Sequence, residues 1–294
     1  MKQSPVWIVT QPQRGKIRRF APRPGMAAGV LHLVLLLCAV LLLSSAAYAP
    51  EGYDFSAEQE ILRLVNQERH SRGLSTLAAD ERLQRAARKH SALMASLEQV
   101  EHQIAGEPKL SLRLDEQAIR FDVSGENVAR TSTPERAHTA LMNSPGHRAN
   151  ILDPTFNSVG IGVVKREDGI YVTEDFARRL PDATVEGAEE SIARSMNRLR
   201  RRAGLPAWPR FDAPELRGRA CEMAAHDKLT PSLGLISTRV SNSVAFTAID
   251  LNQVPSNLDR LKVTSATGFS VGACYSASAS YETPVFWVVV ITYY

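Results

Sequence analysis

The stretch Asn143-Ser144-Pro145-Gly146-His147-Arg148-Ala149-Asn150-Ile151-Leu152 places a histidine directly after a Pro-Gly break and ahead of a second break at Asp153-Pro154. Pro145 and Gly146 end the helical pattern before them. The spacing therefore predicts an imidazole held in a tight turn between two elements. A histidine held that way suits a metal or another ligand; it can equally do no more than hydrogen-bond the turn. Two further positions carry chemistry. His102 follows a helical segment in the polar run Val100-Glu101-His102-Gln103. Glu126 lies in Ser124-Gly125-Glu126-Asn127-Val128, a carboxylate beside an amide just after a glycine. A carboxylate in so compact a turn calls for a partner.

The elements that must position these residues are legible as periodic runs. Ser56 to Gly73 reads as a helix, with Ser56 as N-cap, Gln59 as its capping-box partner and Gly73 as the stop. About Asp80 to Leu97 forms a second helix. Leu83, Ala86, Ala87, His90, Leu93, Met94 and Leu97 share one face of it, so His90 is expected as a buried, hydrogen-bonded core residue. Leu110 to Ile119 gives a short third helix. Thr133-Pro134 opens a fourth that runs to Asn143, with Pro134 at its first position. Val159, Ile161 and Val163 alternate with glycines, and Asp168-Gly169 is a hairpin signal before a return strand. Helices followed by a late antiparallel hairpin predict an α+β domain.

The chain has 294 residues and a formal net charge of +4. Six basic residues (Lys2, Arg14, Lys16, Arg18, Arg19 and Arg23) precede residue 26 with no acid among them, and the rest holds 29 basic against 31 acidic residues. A near-neutral body gives no reason to expect nucleic-acid binding. The basic leader runs into an apolar stretch, Met26 to Leu43, and then small residues, Ser44-Ser45-Ala46-Ala47-Tyr48-Ala49. That is the order of an export signal, and the stretch also has the length of a marginal membrane anchor. Either way the body is expected outside the cytoplasm. There Cys221 and Cys274 can pair, or each can be buried as a free thiol.

The ordered set NQERHSRGL, AARKHSALMA, His102, SGENVA, MNSPGHRANIL and SVGIGVV…YVTEDF resembles the CAP superfamily of cysteine-rich secretory, antigen 5 and pathogenesis-related proteins, in its bacterial, SCP-like branch. The resemblance covers about residues 56–180 and implies an α-β-α sandwich with a cleft. It implies His102 and His147 as the cleft histidines, able in some members to bind zinc or another divalent metal, and Glu126 as one cleft acid. A second acid of the family pattern stands here as Ser144, so the set reads as incomplete. Two imidazoles plus water can hold zinc, with Glu126 as third ligand, orienting partner or base; a hydrogen-bonded His–Glu–His network that only fixes the fold is the alternative. Asn127 is expected to close a loop, Arg148 to pair with an acid, and Asn143 or Ser144 to cap the turn.

The remainder echoes the first module. Asn197 to Leu205 lies over Asn66 to Leu74, and Arg260 to Tyr275 over Arg148 to Val163. Asp259 then occupies the place of His147, and no Gly-Glu-Asn follows residue 190. The expected organisation is a leader over 1–49, a CAP domain over 50–180, a linker over 181–189, and a degenerate CAP-like α+β module over 190–294 that lacks the cleft. An unrelated α+β domain is the competing reading of that last part. Three functions follow: an exported module binding a lipid, an envelope glycan or a protein; a metal-assisted hydrolase using Glu126 with His102 and His147; or a structural envelope protein.

Overall fold

The computed structural model describes residues 52–229, 240–251 and 266–294, all within one unit, Gly52–Tyr294. The leader, its apolar run, and the Asp259 and Arg260 correspondences lie outside the described residues. The first helix, α1, is Phe55–Ser71. Its cap is Asp54, whose carboxylate accepts from the Ala57 amide. Ser56, the expected cap, is already inside the helix and donates its hydroxyl to Asp54. Aspartate caps as well as serine does, and here it does so two positions earlier. Gly73 ends the turn beyond the helix with φ of +72°, a conformation that costs glycine nothing.

A two-residue strand, β1 (Ala78–Ala79), leads to α2 (Glu81–Leu97), capped by Asp80. Then follow α3 (Leu110–Asp115), β2 (Phe121–Thr131), α4 (Pro134–Asn143), α5 (Pro145–Leu152), β3 (Ser158–Arg166) and β4 (Gly169–Arg179). The sheet order is β1-β3-β4-β2, antiparallel except for the β1–β3 pair. Side chains alternate across it. Val159, Ile161, Val163, Ile170, Val172 and Phe176 pack with Ile61, Val65, Ala137, Leu141 and Ile151 from α1, α4 and α5. Ala177 and Tyr171 face the opposite layer, with Leu83, Ala86 and Met94 of α2. The architecture is the expected α-β-α sandwich. Gly160 and Gly162 are what let α2 lie so close: a Cβ at either would overlap the helix backbone at Leu83–Gln84 or Ala87–Arg88.

The second half is α6 (Val185–Arg202), α7 (Glu215–Ala225), β5 (Val240–Ala248), β6 (Gly268–Ser276) and β7 (Val285–Tyr293). Its helix begins inside the expected linker, because Thr184 caps it through the Gly187 amide. The sheet order β5-β7-β6 is that of β2-β4-β3. The cluster of Ile192, Met196, Phe269, Phe286, Val288 and Val290 covers one face, and that of Leu216, Ala220, Met223, Trp287 and Val289 the other. Cys221 on α7 and Cys274 on β6 form a disulfide across the second face.

The same local bonds recur in both halves. Asn66 exchanges two bonds with the Leu77 backbone, eleven residues on, and Asn197 does so with Trp208 at the same separation. Arg69 Nε donates to the Ser75 carbonyl oxygen and Arg200 Nε to that of Pro206, both 2.8 Å over six residues. Buried Glu58 pairs with Arg88 and accepts from the Val163 amide; buried Glu189 pairs with Arg217 and accepts from that of Ala273.

Candidate functional site

The candidate residues gather along β2, the edge strand of the first sheet, between two helical layers. Glu126 sits in the middle of β2, paired with Asp175 of β4, and its neighbour Asn127 pairs with Glu174. This corrects the expected turn: Ser124 to Val128 is strand, and Gly125 is kept small by Phe156 and Asn150 rather than by a bend. His147 is likewise on a helix, not in a turn. Pro145 starts α5 instead of only ending α4, since its missing amide and fixed φ suit a first helical position. His147 thus lies in the first turn. Ser144 is the residue before it and makes no side-chain capping bond. His102 lies beyond the end of α2, where Glu98 turns the chain through a left-handed conformation.

Adjacent strand residues point to opposite faces, so Glu126 and Asn127 reach different helical layers. On the α2 side, His102 Nδ1 is 3.0 Å from Glu126 Oε1, and Arg113 Nη2 donates to Glu126 Oε2 at 2.5 Å. On the α5 side, the Asn127 amide donates to the His147 carbonyl oxygen at 3.1 Å and to Glu174 Oε2 at 2.9 Å. Asn150 donates in turn to Asn127 Oδ1 and to the Glu126 carbonyl oxygen. Asn127 therefore ties a strand to a helix rather than closing a loop. Arg148 donates to the Met142 carbonyl oxygen at 3.2 Å, at the end of α4, and not to an acid.

The two imidazoles meet with ring centroids 5.7 Å apart and planes tilted by 42°. A zinc ion about 2.0–2.1 Å from one nitrogen of each ring would set tetrahedrally disposed centroids roughly 5 Å apart, close to the separation seen here. Glu126 on His102 Nδ1 leaves Nε2 for that role and takes the place of the orienting carboxylate behind a metal-binding histidine. Among the described residues no group of three or more His, Cys, Asp or Glu side chains is placed to hold an ion, so the protein offers two nitrogens and solvent the rest.

The electrostatics separate the two histidines. The hydrogen bond from Glu126 raises the His102 pKa, against the effect of its burial. Burial, and then the His102 charge, lower that of His147. Burial pushes Glu126 up, but its bond to His102 and the charges of Arg113 and His90 bring it below the usual range. Behind it Asp175, fully buried, is held well above the usual range by burial and then by the Glu126 charge. Glu174 rises to about 7 by burial alone, against its Asn127 bond.

Two residues that the sequence reading left out of the site belong to it. Glu107 Oε1 is 2.8 Å from His90 Nδ1 and 3.3 Å from Arg113 Nη1. His90 is buried and hydrogen-bonded as expected, yet its Nε2 lies 3.8 Å from Glu126 Oε2. Glu107 and Asp175 add acids on the Glu126 side, while Ser144 still supplies none ahead of His147. A basic residue three places after a leucine-rich helix start carries no sequence signal for Arg113, and only the fold brings Glu107 back to α2.

Residues 62–176 match the family model described as Cysteine-rich secretory protein family, CAP. The chain is 37% identical over 120 residues to Uncharacterized protein YkwD of Bacillus subtilis, covering 40% of this chain and 46% of that one. It is 30% identical over 125 residues to Uncharacterized membrane protein YlbC of the same organism, covering 42% and 35%. It thus spans less than half the length of these curated relatives. Among solved structures, an extracellular protein containing a SCP domain from Bacillus anthracis is 32% identical, with 42% of this chain and 40% of that one covered and a TM-score of 0.39.

Proposed function

From the CAP-superfamily domain that this chain carries over residues 62–176, we propose an extracytoplasmic binding module whose cleft takes a divalent cation between His102 and His147. One observation carries this reading: the two imidazole centroids lie 5.7 Å apart, with Glu126 bonded to one of the rings. His102 keeps 53% of its side-chain surface in solvent, so the cation would sit at an open mouth where a lipid headgroup, a glycan or a protein side chain can complete its shell. The basic leader with its apolar run and the Cys221–Cys274 bond support export to an oxidising compartment. Among the described residues no helix is long and apolar enough to cross a membrane.

The geometry weighs against the hydrolase reading. Arg113 and His102 each hold one Glu126 oxygen and help bring its pKa below the usual range, and a carboxylate so held is a weaker base toward a water. We read residues 185–294 as a second copy of the scaffold, supported by the recurring asparagine, arginine and glutamate bonds, that serves docking rather than ligand capture. Calorimetry with zinc chloride tests the cleft. Binding that is abolished in both His102→Ala and His147→Ala supports the reading; a parent protein that takes up no zinc sinks it.

A further inference from the structure

Behind the cleft lies a set of ionisable groups that cation binding does not itself use. His90 is sealed from solvent, with Nε2 2.9 Å from the Glu101 carbonyl oxygen and Nδ1 2.8 Å from Glu107 Oε1. A carbonyl oxygen only accepts, so Nε2 carries a hydrogen. The Nδ1 contact then needs one further proton, on the imidazole or on Glu107. Arg113 spans the gap to the cleft, with Nη1 on Glu107 Oε1 and Nη2 on Glu126 Oε2. Its guanidinium is a rigid planar fork, so one group fixes the separation of two carboxylates. Arg113 is 5% and Glu126 8% exposed.

We propose that Arg113, backed by His90 and Glu107, is a positioning residue for the cleft. By holding Oε2 it turns the Glu126 carboxylate so that Oε1 takes the Nδ1 hydrogen of His102, leaving that ring's Nε2 lone pair for the ligand. The inference rests on the binding reading of the His102–His147 cleft. Arg113 makes its hydrogen bonds to Glu107 and Glu126 and acts on His102 only through Glu126. The terminal torsion of a glutamate is broad; without the fork, the Glu126 carboxylate is free to rotate. A half-exposed His102 then loses the acceptor that selects its tautomer.

Two variants of the full chain test this. Arg113→Lys keeps the charge and loses the fork. Arg113→Met with Glu107→Gln removes the fork together with the second carboxylate that it holds. Nitrogen-15 NMR of the metal-free protein reads the His102 tautomer, and calorimetry with zinc chloride reads affinity. The expected result is an Nδ1–H tautomer in the parent, a shift toward Nε2–H in both variants, and zinc binding weakened by about 10- to 100-fold with the circular dichroism unchanged. Variants that keep the Nδ1–H tautomer and the parent affinity overturn the proposal. Retention in Arg113→Lys alone also overturns it, by reducing Arg113 to charge compensation. Should the parent bind no zinc, the cation reading fails by itself. The tautomer then decides this proposal: a shift upholds it, and no shift overturns it.

Discussion

Glu174→Gln should stabilise the protein at and above neutral pH, and the gain should vanish in mild acid. Glu174 is fully buried in β4. Oε2 accepts from Asn127, and Oε1 has no hydrogen-bonding partner. Burial raises its pKa from 4.5 to about 7. Between those values the folded chain keeps a proton that the unfolded chain releases. Stability therefore falls as pH rises through this window and is level above it. The shift amounts to roughly 3 kcal/mol of differential stability. Glutamine has the same shape, keeps an oxygen for Asn127 and never ionises. Its amide nitrogen would stand where Oε1 stands, also unpartnered, at a cost that does not change with pH. The assay is urea unfolding of parent and variant at intervals from pH 4.5 to 8. The informative quantity is the difference between them, because pH effects of groups uncoupled to Glu174 cancel in it. That difference should grow by about 3 kcal/mol across the range, in favour of the variant. A difference that stays flat with pH would refute the burial argument, whatever its absolute size.

Reducing the Cys221–Cys274 bond, or replacing both residues with alanine, removes a cross-link over a separation of 53 residues; loop entropy puts the loss at about 4 kcal/mol, to be read as a lower urea midpoint with reductant present. Arg69→Met should cost about 3 kcal/mol or more, since buried Arg69 serves the carbonyl oxygens of Ser75, Ile151 and Asp153 and so pins the end of α5 to α1; thermal unfolding checks it. Zinc affinity at the cleft should fall as pH drops. His102, whose pKa is raised by Glu126, takes up its proton first and competes with the ion, so calorimetry at pH 8, 7 and 6 should show a progressive loss that starts above the ordinary histidine range. Gly162→Ala should fail to fold or unfold far below the parent temperature, because the new methyl group meets the α2 backbone.

The fold was largely legible because its signals are local. Asp80 to Leu97, Pro134 to Asn143 and the hairpin around Asp168-Gly169 each announce themselves within one period, and the structure places them within a residue or two. The errors came where one residue type serves opposite ends of an element. Pro145 was read as a stop although it is also a start, which moved His147 from helix to turn. Gly125 was read as a bend although it is a strand position crowded by Phe156 and Asn150. Arg113 and Glu107 were missed for a different reason. Their meeting with Glu126 depends on how α2, α3 and β2 close on each other, and no spacing within the chain encodes that. The pairing of Cys221 with Cys274 was likewise open until α7 and β6 were seen face to face.

The two halves share a strand order and several local bonds but seat their helices differently. In the first, α2 is seated on its sheet by bare backbone at Gly160 and Gly162 and by Ser91, whose hydroxyl donates to the Gly162 carbonyl oxygen and is bonded to that of Thr173. In the second, Gly272 keeps the same close approach against Leu216, and the next crossing is held by the Cys221–Cys274 bond instead. A covalent clamp needs no buried polar partners, whereas the first half buries Glu107, Glu126, Glu174 and Asp175 in and around the same sheet. Burying carboxylates costs stability unless each is paired or neutralised, and Glu174 and Asp175 are held by burial toward the neutral form. Among its described residues the second half buries one carboxylate, Glu189, paired with Arg210 and Arg217, whereas the first gathers several near His102 and His147. That contrast is the physical reason to look for ligand at His102 and His147, and for docking on the half that the disulfide holds.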